Sequence, residues 1–214
     1  MNINPDYLLY AKSIIGMLAI ANPLGAVPIF LSMTNDRTTL EKSQIARVTA
    51  ISVAIILIVS IWAGTALLSF FGISISAFKT GGGLLILLMA ISMLRARQSH
   101  TRQTPTEADE ASEKESIAVV PLAIPIIAGP GAISLVIVDA HKAANFANWS
   151  ILSIDVLVLA FLIWLALRLA TPIGNKLGTT GLNIATRIMG LILAAIGIEM
   201  ITSGLTQLLP GLAA

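Results

Sequence analysis

Two short runs hold residues whose types and spacing could do chemistry: Asn22-Pro23-Leu24-Gly25-Ala26, and Gly129-Pro130-Gly131-Ala132 with Ser134 just beyond it. Each lies inside an apolar stretch long enough to cross a bilayer. Proline has no N–H and clashes with the carbonyl four residues earlier, so each run is expected to break a helix. Asn22 before Pro23 reads as an N-cap followed by a proline at the first helical position. A helix that restarts in mid-span carries unpaired N–H groups and the positive end of its dipole, which together bind anions. The expected donors are the N–H groups of Leu24, Gly25 and Ala26 and of Gly131, Ala132 and Ile133, joined by the Asn22 amide and the Ser134 hydroxyl. Glycine at 25 and 131 lets a ligand come close to the backbone. A ligand ammonium would face the carbonyls that end the upstream half-helices, near Ile20–Ala21 and Ile127–Ala128. Neither run contains a charged side chain. The chemistry expected is therefore the binding of a small neutral zwitterion, and Gly131→Leu is expected to abolish transport while leaving insertion intact.

Ionisable residues inside membrane spans are costly and point to function by default. Glu199 lies in the middle of an apolar segment and is the candidate to carry a coupling proton. Asp155 is the weaker candidate, near an interface. Lys79 and Arg187 open their segments and are expected to snorkel. Asp139, His141 and Lys142 are expected to be interfacial and not a metal site.

These residues must be positioned by membrane helices. Of 214 residues, 56% are hydrophobic and 11% charged, with a mean hydropathy of +0.90, which places the chain among integral membrane proteins. Cysteine is absent, so disulfides and thiol chemistry are excluded. No HExxH, GxSxG, phosphate-binding loop or dinucleotide fingerprint occurs, and no cofactor or enzymatic activity is expected. The pI near 9.2 reflects basic residues at membrane edges and implies no nucleic acid. Six spans are expected, at about 8–33, 48–70, 74–94, 117–140, 148–170 and 186–208. No basic n-region precedes the first, which reads as a membrane helix and not a cleaved signal.

Arg37, Lys42, Arg47, Arg95, Arg97, Arg102, Lys114, Arg168, Lys176 and Arg187 follow the first, third and fifth spans, whereas Lys12, Lys79 and Lys142 mark the other side. The positive-inside rule then puts both termini outside the cytoplasm. Tyr7, Tyr10, Phe146 and Trp149 read as an aromatic belt at the outer interface. Residues 96–116, rich in Thr, Ser, Glu and Asp, read as a flexible cytoplasmic linker between a first three-helix repeat, 1–95, and a second, 117–214.

The two halves resemble each other. Aligning Gly25-Ala26 with Gly131-Ala132 sets them 106 residues apart, and Gly83, Ala90 and Met93 fall on Gly190, Gly197 and Met200 at nearly the same offset. With three spans each, the halves must enter from opposite faces. The fold expected is an all-α membrane protein of six transmembrane helices, built as two inverted-topology repeats whose first and fourth helices break at the midplane. Gly190, Gly197 and Gly204, with Gly83 and Ala90, form small-residue faces, expected to hold the third and sixth spans against the broken helices. Such a face could also serve a homo-oligomer.

Asn22-Pro23-Leu24-Gly25-Ala26-Val27-Pro28-Ile29-Phe30, the run Pro121 to Ile133 and Arg187-Ile188-Met189-Gly190-Leu191-Ile192-Leu193-Ala194-Ala195 resemble the MarC family of six-span inner-membrane proteins over nearly the whole chain. The resemblance implies an inverted 3+3 fold with discontinuous first and fourth spans. It also implies kinship with a small neutral amino-acid transporter. Where many members carry an acidic residue late in the third span, this chain has Ser92. The function expected is a secondary transporter of glycine, alanine or serine working by alternating access. A channel or facilitator, or an exporter of another small metabolite, is the alternative. Partners are the lipid bilayer, the zwitterionic solute and a coupling ion.

Overall fold

The computed structural model describes residues 5–95, 118, 122–123, 127–143 and 145–212, with side chains from residue 13 onward. The helices are α1 (Pro5–Ala21), α2 (Pro23–Met33), α3 (Thr39–Phe70), α4 (Ile75–Leu94), α5 (Pro130–Ala143), α6 (Phe146–Arg168) and α7 (Ala170–Leu208), followed by a short 3₁₀ turn at Pro210–Leu212. No strand occurs among the described residues. Five segments there are long and apolar enough to cross a bilayer: Ser13–Met33, α3, α4, α6 and α7. Of the expected fourth span, the part from Pro130 onward is helix, while much of 117–126 and the linker 96–116 fall outside the described residues. So do the side chains of Tyr7, Tyr10 and Lys12.

Local chemistry sets the helix ends. α3 starts earlier than hydropathy predicts, at Thr39, because Thr38 and Glu41 form a reciprocal capping box that satisfies first-turn donors. Ser74 caps α4 through the Ala77 N–H at 3.2 Å, and Asn145 caps α6 through the Asn148 N–H at 2.8 Å. The stretch expected to be a loop after the fifth span is helical: α7 begins at Ala170 and bends at Gly178, whose φ of 61° and ψ of −179° break the helix. Glycine tolerates that backbone where other residues do not.

The core is built by antiparallel helix pairs. α4 and α7 touch backbone to backbone along their length. A Cβ added at Gly83 would stand 2.7 Å from the Gly197 carbonyl oxygen, and one added at Gly197 would stand 2.9 Å from the Gly83 carbonyl oxygen. Further along, Gly190 lies against the Ala90 carbonyl and Gly204 against the Ser76 carbonyl. The glycine faces therefore hold the third and sixth spans against each other, not against the broken helices as expected. α3 and α6 form the second antiparallel pair, with α5 packed on α3 and α4, and α2 packed on α6 and α7. Phe30, Leu57, Ile86, Leu159, Ile163 and Leu193 are buried between these pairs, while Leu84, Leu88, Leu191 and Ile198 point outward to where lipid would lie.

Candidate functional site

The first break is a one-residue joint. Asn22 adopts φ 39° and ψ 64°, the left-handed region, which short polar side chains visit more readily than most. Its Oδ1 accepts the Gly25 N–H at 3.1 Å. The ladder is otherwise almost continuous: the Asn22 N–H donates to the Leu18 carbonyl at 3.0 Å, and the Ala26 N–H to the Asn22 carbonyl at 3.1 Å. Two of the three donors expected here, Gly25 and Ala26, are thus engaged within the helix. Leu24 is the first-turn N–H left over by position. Asn22, Leu24 and Gly25 are half-buried, and Pro23 and Ala26 are buried.

The second break opens α5. The Ile133 N–H donates to the Gly129 carbonyl at 3.1 Å, which leaves Gly131 and Ala132 by position. Upstream, the Ala128 N–H donates to the Ala123 carbonyl at 2.8 Å, five residues back, the spacing of a π turn. Gly129, Gly131, Ala132 and Ser134 are buried, whereas Pro130 is exposed. The two breaks are neighbours. A Cβ at Gly131 would lie 3.6 Å from Ile20 Cγ2, two residues before Asn22, and 3.0 and 3.3 Å from Ile86 Cγ1 and Met89 Sδ. Apolar side chains therefore cover Gly131 in this conformation. A leucine there would collide with α4, so Gly131→Leu reads out packing as well as ligand access. Ser134 fills the notch left by Gly82, where an added Cβ would lie 2.8 Å from Ser134 Oγ.

Charged groups gather on a different side of the bundle. Lys79 on α4 is 8% exposed, and its ammonium donates to Ser203 Oγ on α7. The residue is buried against α7. Asp139 on α5 is 6% exposed. It accepts the Ser13 hydroxyl of α1 at 3.0 Å and pairs with Lys142 at 3.2 Å. His141 and Arg187 are exposed. Glu199 is also exposed, one turn before Ser203, and with Asp139 and Lys142 it stands close enough to act on the Lys79 charge. Glu199 therefore lies on α7 one turn from Ser203, the hydroxyl that accepts the Lys79 ammonium. Asp155 is half-buried, with Oδ2 buried and lacking a hydrogen-bond partner. No group of His, Asp and Glu suited to a metal ion occurs among the described residues.

The burial of Lys79 was readable from spacing. Lys79, Gly83, Ile86 and Ala90 recur at intervals of four, three and four, one face of a helix, so Lys79 shares the glycine stripe.

Comparison with known proteins agrees with this architecture. Residues 7–209 match the MarC family of integral membrane proteins. A UPF0056 membrane protein of Buchnera aphidicola is 42% identical over 99% of both chains. The Escherichia coli UPF0056 membrane protein YhcE is 39% identical over 97% of this chain and 96% of its own. A UPF0056 membrane protein of Methanocaldococcus jannaschii is 36% identical over 94% and 96% respectively. No solved structure matches the chain. With a match spanning nearly its entire length and relatives this similar end to end, the chain belongs to the MarC family of integral membrane proteins.

Proposed function

We propose that the chain is a secondary transporter of small neutral amino acids, made of two inverted three-helix repeats that alternate around the paired helix breaks. The observation that carries this reading is the exchange of contacts between the halves. Gly83 to Gly190 and Ala90 to Gly197 are equal steps along the sequence, and the Gly83–Gly197 contact maps onto the Gly190–Ala90 contact under that step. Likewise, the packing of α2 on α7 and α6 has its counterpart in the packing of α5 on α4 and α3. Two images of one half, related by an axis between α4 and α7, fit an inverted repeat. The charge distribution favours both termini outside the cytoplasm.

The ligand carboxylate would meet the N–H groups of Leu24, Gly131 and Ala132 and the Nδ2 of Asn22, whose Oδ1 is engaged as a cap. Access to Gly131 requires Ile86 and Met89 to move, which ties ligand entry to a displacement of α4, as alternating access demands. Glu199 beside Lys79 is the candidate for coupling to a proton or sodium ion. No catalytic step is assigned to any residue.

The test is counterflow of labelled alanine in proteoliposomes, with competition by glycine and serine. Asn22→Asp keeps an N-cap acceptor and removes the amide donor, so the reading expects intact protein with lost counterflow. Normal counterflow by Asn22→Asp would remove Asn22 from the site, and a wild type silent toward alanine, glycine and serine would overturn the substrate class.

A further inference from the structure

A groove runs along the outer surface between α3 and α6, on the opposite side of these helices from the breaks. Its cavity of about 270 Å³ is lined by Arg47, Ala50, Ile51, Ala54, Leu157, Ala160, Phe161 and Trp164. It exists because the helices meet through small residues: Ala50, Ala54 and Ala160 form a buried floor, and the exposed Ile51, Leu157 and Phe161 rise as walls. The charged residue of the lining is Arg47. Trp62 Nε1–H donates to Ser153 Oγ at 3.1 Å, which fixes the antiparallel register. Arg47 precedes Trp62 by fifteen residues and Arg168 follows Ser153 by fifteen, so the two arginines stand at the same level of the helix pair. Both are exposed. Arg168 lies over the Trp164 ring at 5.0 Å, and among the described residues neither arginine has a carboxylate partner.

We propose that this groove binds an anionic phospholipid, with one acyl chain on the alanine floor and the phosphate held by Arg47 and Arg168. An apolar channel lined at one end by Arg47, with Arg168 stacked on the lining Trp164 and neither arginine paired with a carboxylate among the described residues, complements that ligand in shape and charge. Arginine forks match phosphate oxygens, and basic residues at this level favour anionic over zwitterionic headgroups. The site stands apart from the transport reading and does not depend on it.

Trp164 reports on the groove from within. In a Trp62→Phe/Trp149→Phe background it is the remaining tryptophan of three. Quenching by phosphatidylglycerol brominated on its acyl chain is compared with quenching by the matching phosphatidylcholine. The expected preference for the anionic lipid is about fivefold or more, lost at high salt and in Arg47→Gln/Arg168→Gln. Equal quenching by the two lipids overturns the proposal, as does a preference that survives loss of both arginines. Native mass spectrometry of the unsubstituted protein supplies the second readout. Retained phosphatidylglycerol that disappears with the arginines supports the site, and a dimer whose Trp164 neither lipid quenches assigns the groove to a second copy and overturns it.

Discussion

The seam between α4 and α7 makes a quantitative prediction, because α4 carries two glycines in neighbouring positions with opposite surroundings. A Cβ at Gly83 would lie 2.7 Å from the Gly197 carbonyl oxygen, 2.9 Å from the Ile201 nitrogen and 2.9 Å from Met200 Cβ. Unstrained carbon contacts are about 3.5–4.0 Å, so the shortfall is close to 1 Å, and two of the three atoms are backbone. The helices must separate to relieve it, at a cost of about 1–3 kcal/mol. At Gly81 a Cβ would meet nothing within 4 Å. Gly81→Ala and Gly83→Ala bring the same helix-propensity gain, about 1 kcal/mol, so that term cancels in their comparison. The difference between the variants is the seam itself, about 2 kcal/mol in favour of Gly81→Ala. For a chain of this size that corresponds to a gap of roughly 4–8 °C in thermal midpoint, measured in mild detergent from tryptophan emission or from the surviving monodisperse fraction. A Gly83→Ala variant as stable as Gly81→Ala would show that the helices are not in backbone contact, and the contact symmetry that supports the transport reading would go with it.

Other features can be checked in the same assay. Asn22→Gly keeps the left-handed joint but loses the cap, and should cost only a few tenths of a kcal/mol. Asn22→Ala loses both and should cost about 2 kcal/mol; equal stability of the two variants would refute the joint. Thr65 Oγ1 is buried without a partner, so Thr65→Val should stabilise by about 1 kcal/mol, and a destabilised variant would mean that the hydroxyl is bonded. Lys79→Met removes a buried ammonium whose hydrogen bond among the described residues is to the Ser203 hydroxyl. Because a buried charge is weak evidence for stability, its thermal midpoint should hold or rise while alanine counterflow falls. Unchanged counterflow would make Lys79 a structural residue only.

What the sequence made legible was decided by local chemistry. The joint at Asn22-Pro23 was readable because proline and a capping side chain act within four residues of themselves. The α4–α7 glycine face was readable from its spacing, but its partner was not, since spacing gives a face and not what lies opposite. Hydropathy missed the start of α3 because its first two turns are polar, although Thr38 and Glu41 stand at capping-box spacing. It missed the start of α7 because Pro172, Gly174, Gly178 and Gly181 imitate a loop, whereas only Gly178 leaves helical geometry. At the site, the glycines at 25 and 131 suggested open backbone. Whether that space is free depends on Asn22 and on Ile86 and Met89, and the latter two come from α4, far away in sequence. The partner of Asp139 was illegible for the same reason: Ser13 lies 126 residues away.

That distance has a consequence for how the protein is made. The α4–α7 seam is the most extensive contact among the described helices, yet Lys79 and Ser203 are separated by 124 positions. A ribosome delivers α4 long before α7 exists. Until then α4 must wait in the membrane with its glycine stripe uncovered and its ammonium without the hydroxyl. Non-local contacts of this kind make folding slow, and such waiting intermediates are prone to misassembly. Loss of α7 would therefore strip α4 of its main partner among the described helices, and truncation before Gly190 should be cleared by proteolysis rather than accumulate as a shortened protein.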